Sequence, residues 1–222
     1  LYSTYDVTAL LRKGQNGIGV MLGSGWYNPL PMRMWGWLNL REHLAVGRPR
    51  LIAQLFVEYA DGSSEIMVTD DSWKVADGPI LRNSIYLGEV YDARKEPPGW
   101  DRAGFDDSLW RPAALATEPV GNLCAQAQPP IRITATLKPV AISEPSPGVF
   151  IFDMGQNFAG WARLRVKGPA GTTVQMRFGE LLHPDGTLNA MTSVCGQIKA
   201  EGRGGPGAPC LLYTSDAADE ED

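Results

Sequence analysis

Leu51-Ile52-Ala53-Gln54-Leu55-Phe56-Val57-Glu58-Tyr59-Ala60-Asp61-Gly62-Ser63-Ser64-Glu65-Ile66-Met67-Val68-Thr69 decides the fold class. Along residues 51–59, Leu51, Ala53, Leu55, Val57 and Tyr59 occupy alternate positions as an apolar set, against Ile52, Gln54, Phe56 and Glu58. A period of two is the pattern of a strand with one face packed. Asp61-Gly62 supplies the turn, because glycine takes a positive φ without a steric penalty. Residues 65–69 then return as the partner strand. The stretch predicts a β-hairpin.

The same punctuation runs outward from the hairpin. The 222 residues include 25 Gly and 17 Pro. Long helices do not tolerate that density of breakers, whereas short strands joined by turns do. Extended segments are expected over 1–11, 18–22, 80–86, 131–137, 149–153, 162–166 and 173–180. Turns are expected at 13–17 and at Gly168-Pro169-Ala170-Gly171, and one helical turn at 106–110. Residues 30–47, with Trp35 and Trp37, read as a loop or a bent strand. Pro112, Pro119, Gly121, Pro129 and Pro130 mark a crossing between two domains. A strand about every ten residues is the spacing of a sandwich. The expected architecture is all-β, with two β-sandwich domains at 1–115 and 131–197 and a linker at 116–130.

Several function classes find no support. The formal net charge is −5, and no basic stripe suggests a nucleic-acid partner. No apolar run reaches the length of a membrane span. Cys124, Cys195 and Cys210 form neither a disulfide framework nor a zinc spacing. His43 and His183 lie far apart and no serine elbow accompanies them. Gly168 to Gly171 is too short for a phosphate cradle. The chain opens at Leu1, inside an extended segment, so sequence upstream is expected to be missing.

The character changes near residue 198. Residues 202–209 are rich in Gly and Pro, and the chain then ends on an acidic run. Cys210-Leu211-Leu212-Tyr213-Thr214-Ser215-Asp216-Ala217-Ala218-Asp219-Glu220 resembles a translated sequencing adapter. Residues 198–222 are therefore expected to be unstructured and foreign to the protein.

Five segments occur in order in the first half: Tyr5-Asp6-Val7-Thr8, Gly14-x-Asn16-x-Ile18-Gly19-Val20, Gly23-x-Gly25-Trp26-Tyr27, Gly88-Glu89-x-Tyr91-Asp92-Ala93-Arg94 and Pro98-Gly99-Trp100. Downstream follow Phe152-Asp153-Met154-Gly155-Gln156-Asn157-Phe158-Ala159-Gly160-Trp161, Gly168-Pro169-Ala170-Gly171-Thr172, Gly179-Glu180-Leu181-Leu182 and Gly186-Thr187-Leu188. Together they resemble bacterial α-L-rhamnosidases over roughly residues 1–197. The resemblance implies a jelly-roll-like accessory domain related to carbohydrate-binding modules, then a second β-sandwich, ahead of an (α/α)6 catalytic barrel. It implies hydrolysis of terminal α-L-rhamnose with inversion. That reaction needs two carboxyls about 6.5–9.5 Å apart, which in the family come from the barrel, so no catalytic residue is nominated here. It further implies that some relatives hold rhamnose on the first domain with calcium. By this reading the first sandwich lacks its opening strands and the second is cut short. The chain alone is expected to be inactive, contacting a barrel outside it, and both cytoplasmic and secreted locations stay open. The alternative is a stand-alone module that recognises rhamnose-containing glycans.

Five residues are candidate sugar contacts: Trp26, Tyr27, Glu89, Asp92 and Asn157. Trp26 and Tyr27 sit in a glycine-flanked loop, where a ring can stack on the apolar face of a sugar. The alternative is that Trp26 plugs the end of a sandwich, with Gly23 and Gly25 marking close backbone packing. Glu89 and Asp92 could hold a sugar or a calcium ion. In a strand, though, Glu89 and Tyr91 share one face and Asp92 and Arg94 the other, which favours a structural ion pair. Asp153, Gln156 and Asn157 could line a groove, but such side chains also lock turns through their own backbone. Asp61, Asp70 and Asp71 read as solvated turn carboxylates. The remaining tryptophans read as core or interface anchors.

Overall fold

The computed structural model describes residues 1–29, 33–34, 38–84, 88–117, 121–193 and 210–214. Trp35, Trp37, the end of the strand expected over 80–86, and most of the tail lie outside the described residues. The strands are, in chain order, β1 (Arg33–Met34), β2 (Leu38–Asn39), β3 (Gln54–Glu58), β4 (Ser64–Val68), β5 (Lys74–Val75), β6 (Ile80–Ser84), β7 (Gly88–Asp92), β8 (Arg111–Pro112), β9 (Ala141–Ser146), β10 (Val149–Asp153), β11 (Thr173–Arg177), β12 (Leu181–Leu182), β13 (Leu188–Asn189) and β14 (Cys210–Thr214). The only α-helix among the described residues is the single turn Leu40–His43. The fold is of the all-β sandwich class, as the hairpin reading predicts.

By contact the chain divides into two compact units. One gathers Leu1–Leu22, Pro49–Gly78 and Pro97–Arg132, and the other Gly23–Arg48, Pro79–Glu96 and Ile133–Asp222. These units interleave along the chain. The reason is strand pairing: β6 and β7 share a sheet with β11.

In the first unit, β3 and β4 pair antiparallel from Gln54↔Val68 to Glu58↔Ser64. Gly62 has φ of 83° in the connecting turn. The Asp61 carboxylate closes that turn by accepting the Ser63 amide at 2.9 Å and its hydroxyl at 2.6 Å. Leu55 and Val57 are half-buried while Gln54, Phe56 and Glu58 are exposed, so the face predicted to pack is the one that does. Residues 106–110 form a turn and not a helix, with the Trp110 amide donating to the Asp107 carbonyl at 3.0 Å. The Phe105 and Trp110 rings meet edge to face at 5.5 Å. Residues 1–11 and 18–22 are not strands. Asp6 accepts the Thr8 amide and bends the first segment into a short 3-10 turn, Thr8–Leu10. In the second, Gly19 lies so close to Trp100 that a Cβ there would sit 2.5 Å from the indole.

In the second unit a four-stranded sheet runs in the order β11-β14-β7-β6. The residues buried among those described are Pro29, Pro79, Asp92, Ala93 and Ala190, all in this unit. The strands expected at 149–153 and 173–180 form, the latter shortened to Thr173–Arg177. Those expected at 131–137 and 162–166 do not, for want of a strand to pair with among the described residues. β9 was not anticipated, because Ser143, Glu144 and Pro145 obscure its periodicity. It pairs with β10 through a turn in which Gly148 has φ of 78° and donates its amide to Glu144 Oε1 at 2.8 Å. Within the tail expected to be unstructured, Cys210–Thr214 forms β14, a run of residues with adequate strand propensity.

Candidate functional site

The aromatic loop is a closed turn tied down at both ends. The Asn28 amide donates to the Ser24 carbonyl at 2.9 Å. At the entry, Asn83 Oδ1 accepts the Ser24 amide at 2.8 Å. At the exit, Arg41 Nη1 donates to the Pro29 carbonyl at 2.6 Å and to Asn28 Oδ1 at 3.2 Å. The Tyr27 carbonyl accepts the Gly47 amide at 2.9 Å. Gly23 matches the close packing read from sequence, since a Cβ there would lie 2.7 Å from Asn83 Nδ2. Gly25 does not: a Cβ would meet nothing, and glycine is needed there for its φ of 53°. Trp26 is 53% exposed and Tyr27 half-buried, so Trp26 presents its ring instead of plugging a core.

Strand register brings Glu89 toward this turn. Asn83, which holds Ser24, is the β6 partner of Glu89 on β7. The aromatic turn is thus fastened to the β6 position that pairs with the half-buried Glu89. An exposed indole can stack on a sugar ring, and a carboxylate can accept its hydroxyls.

Asp92 is committed elsewhere. Arg94 Nε donates to Asp92 Oδ1 at 2.8 Å and Nη2 to Oδ2 at 2.9 Å, a bidentate pair. Arg94 is not on the strand, as expected from alternation, but in the 3-10 turn Ala93–Lys95, which Asp92 also caps through the Arg94 amide. Hydrogen bonding from Arg94 holds the Asp92 carboxyl below its ordinary pKa, against the opposing effect of burial. The neighbouring Tyr91 hydroxyl donates to Glu96. Asp92 is thus engaged by Arg94, and no group of three or more His, Cys, Asp or Glu side chains that could hold a metal ion occurs among the described residues.

Asn157 stands apart from this group. Asp153 locks the local turn by accepting the Gly155 amide at 2.8 Å, as the turn reading proposes. Exposed Asn157 instead reaches across 23 residues, donating to Glu180 Oε1 at 3.1 Å. The Glu180 amide in turn donates to Thr192 Oγ1 at 2.7 Å. Asn83, Arg41, Glu180 and Thr192 were not nominated from sequence. Each acts on a residue distant along the chain, and only Glu180 lay within a quoted motif.

Comparisons with known proteins bear on all of this. Residues 1–135 match the α-L-rhamnosidase N-terminal domain, and residues 143–202 match the bacterial α-L-rhamnosidase concanavalin-like domain. A Streptomyces avermitilis protein named α-L-rhamnosidase is 45% identical over 188 residues, covering 84% of this chain and 18% of its own. A Formosa agariphila protein of the same name is 35% identical over 188 residues, 83% of this chain and 19% of its own. Among solved structures, the Streptomyces avermitilis α-L-rhamnosidase complexed with L-rhamnose superposes with a TM-score of 0.72 at 40% identity, covering 87% of this chain and 17% of that one. The Dictyoglumus thermophilum α-L-rhamnosidase gives 0.67 at 40% identity, covering 78% and 18%. The chain spans about a fifth of the length of the curated relatives it matches.

Proposed function

The chain belongs to the bacterial α-L-rhamnosidase family, and we propose that it is an accessory β-domain portion of an enzyme that hydrolyses terminal α-L-rhamnose from glycosides. The observation that carries this reading is the pair of successive domain matches over 1–135 and 143–202, set against a span of only about a fifth of the relatives. In this reading the acid and base of hydrolysis belong to the catalytic barrel. These residues support that barrel and hold rhamnose-containing glycans near it. The chain's two domains are the sandwiches at 1–115 and 131–197, joined by the linker 116–130.

The glycan-holding surface is the end of the β6–β7 hairpin. Trp26 supplies the stacking face, Tyr27 anchors the turn, and Glu89 accepts sugar hydroxyls. The support is the exposure of Trp26 on a turn fastened at both ends, so little ordering entropy is lost on binding. Asp92 serves the fold, and Asn157 serves a contact centred on Glu180. Calorimetric titration of the chain with L-rhamnose, with and without calcium, tests this surface. Binding that Trp26→Ala weakens supports it. No heat under either condition reduces the chain to a purely supporting role. Calcium-dependent binding that survives Trp26→Ala relocates the surface.

A further inference from the structure

The arginine that fastens the exit of the aromatic turn does so with one nitrogen. Arg41 Nη1 donates to the Pro29 carbonyl at 2.6 Å and to Asn28 Oδ1 at 3.2 Å. These contacts fix the guanidinium against the end of the turn, and Asn28 lies two residues from the exposed Trp26. Arg41 is itself exposed, and its other edge, Nε with Nη2, has no partner among the described residues. That is the edge with which Arg94 grips a carboxylate, Nε on Asp92 Oδ1 and Nη2 on Oδ2.

The local structure keeps the edge open. Arg41 sits in the helical turn Leu40–His43. Asn39 Oδ1 accepts the Arg41 amide at 3.2 Å, while Asn39 Nδ2 donates to Glu42 Oε1 at 2.7 Å. Glu42 is thereby engaged by Asn39, and the ion pairs among the described residues are Lys74–Asp107, Arg94–Asp92 and Arg111–Asp77, none of which involves Arg41. Residues 23–48 hold three arginines and Glu42 as the one acid, within a chain of formal net charge −5. The third of those arginines, exposed Arg48, follows Gly47, whose amide donates to the Tyr27 carbonyl at 2.9 Å. The turn therefore carries a cationic end on an acidic chain.

We propose that the aromatic turn holds a glycan in which rhamnose adjoins an acidic sugar, whose carboxylate is taken by Arg41 Nε and Nη2. A planar guanidinium matches a carboxylate with two parallel hydrogen bonds, and one already held in place loses little freedom on binding. The entry of the turn is tied to the strand pair that carries Glu89 and the exit to Arg41, so the anion belongs at the exit. The proposal rests on the sugar-holding surface at Trp26 and adds the class of its ligand.

Calorimetry of the 222-residue chain tests it with three sugars: L-rhamnose, an α-L-rhamnosyl-D-glucuronic acid, and the same disaccharide with its carboxyl reduced to hydroxymethyl. The acidic disaccharide should bind about fivefold tighter than the reduced one at low salt, the scale of a well-aligned exposed ion pair. The preference should shrink as salt is raised. In Arg41→Gln the two affinities should converge. Their ratio is the readout, because a loosened turn weakens both disaccharides alike. Equal affinities in the native chain, or a preference unchanged in Arg41→Gln, overturn the proposal and leave the rhamnose-holding surface standing. Should Arg41→Gln bind neither disaccharide, Arg41→Lys decides. Its ammonium still donates to a carbonyl but lacks the paired edge, so a reduced preference supports the proposal and an undiminished one contradicts it. No heat with any of the three sugars in the native chain overturns the surface and this inference together.

Discussion

The Asn83 side chain holds the Ser24 backbone amide at 2.8 Å across 59 residues of sequence, fastening the aromatic turn to β6 directly opposite Glu89. A single amide oxygen thus joins two motifs that the sequence shows only as separate strings. It also sets up the most discriminating mutation.

Asn83→Ala should release the turn while leaving Trp26 in place. Loss of one hydrogen bond of this kind costs about 1 kcal/mol. Chemical denaturation should show that loss, and rhamnose affinity should fall several-fold because the turn must then be ordered on binding. Gly47→Ala should act similarly from the other side, since a Cβ there would lie 2.5 Å from the Tyr27 hydroxyl.

Trp26→Ala separates binding from folding. The ring is half out in solvent, so the change in denaturation midpoint should be small. Aromatic stacking contributes about 0.5–1.5 kcal/mol beyond burial, so calorimetry should register a two- to tenfold loss of rhamnose affinity. A large stability loss with affinity intact would mean that the indole is a structural plug.

Arg94→Ala should lower the thermal midpoint, because it leaves the buried Asp92 carboxylate without its bidentate donor. Arg94→Lys should recover only part of the loss, since an ammonium cannot make the paired contact. Rhamnose affinity should barely move in either variant.

Acid should weaken the fold through its turns. Asp6, Asp61, Asp70 and Asp106 each have a pKa below the ordinary value, chiefly from the hydroxyl two residues on and then from its amide. A carboxyl depressed in the folded state contributes stability that is present above its unfolded pKa of about 3.9 and is lost as pH falls through the lower, folded value. Thermal midpoints measured from pH 7 to pH 3 should therefore begin to fall below about pH 4. A combined Ser63→Ala, Ser72→Ala and Ser108→Ala variant should start lower at pH 7 and show a shallower acid limb.

The hairpin at 54–68 was legible because its alternation and its Asp-Gly turn agree. The turn at 168–171 was legible for the same local reason, with Thr172 donating to the Pro169 carbonyl at 3.0 Å. Local periodicity failed where pairing is long-range. Residues 18–22 alternate well, yet the Gly19–Trp100 approach sets their path. β9 alternates poorly, yet β10 captures it. The aromatic turn was visible as glycine-flanked tryptophan and tyrosine, but Asn83 and Arg41, which fasten it, sit in unremarkable strings. Asp92 and Arg94 were legible as a pair, though not as a cap and its turn.

The most direct measurement is hydrolysis of an aryl α-L-rhamnoside by the purified 222-residue chain. If these residues serve a neighbouring catalytic body, release of the aryl alcohol stays at the rate of the uncatalysed control, however much protein is added. Release that grows in proportion to the chain and vanishes on its denaturation would mean that an acid and a base lie within these strands, and the accessory-domain account would be wrong.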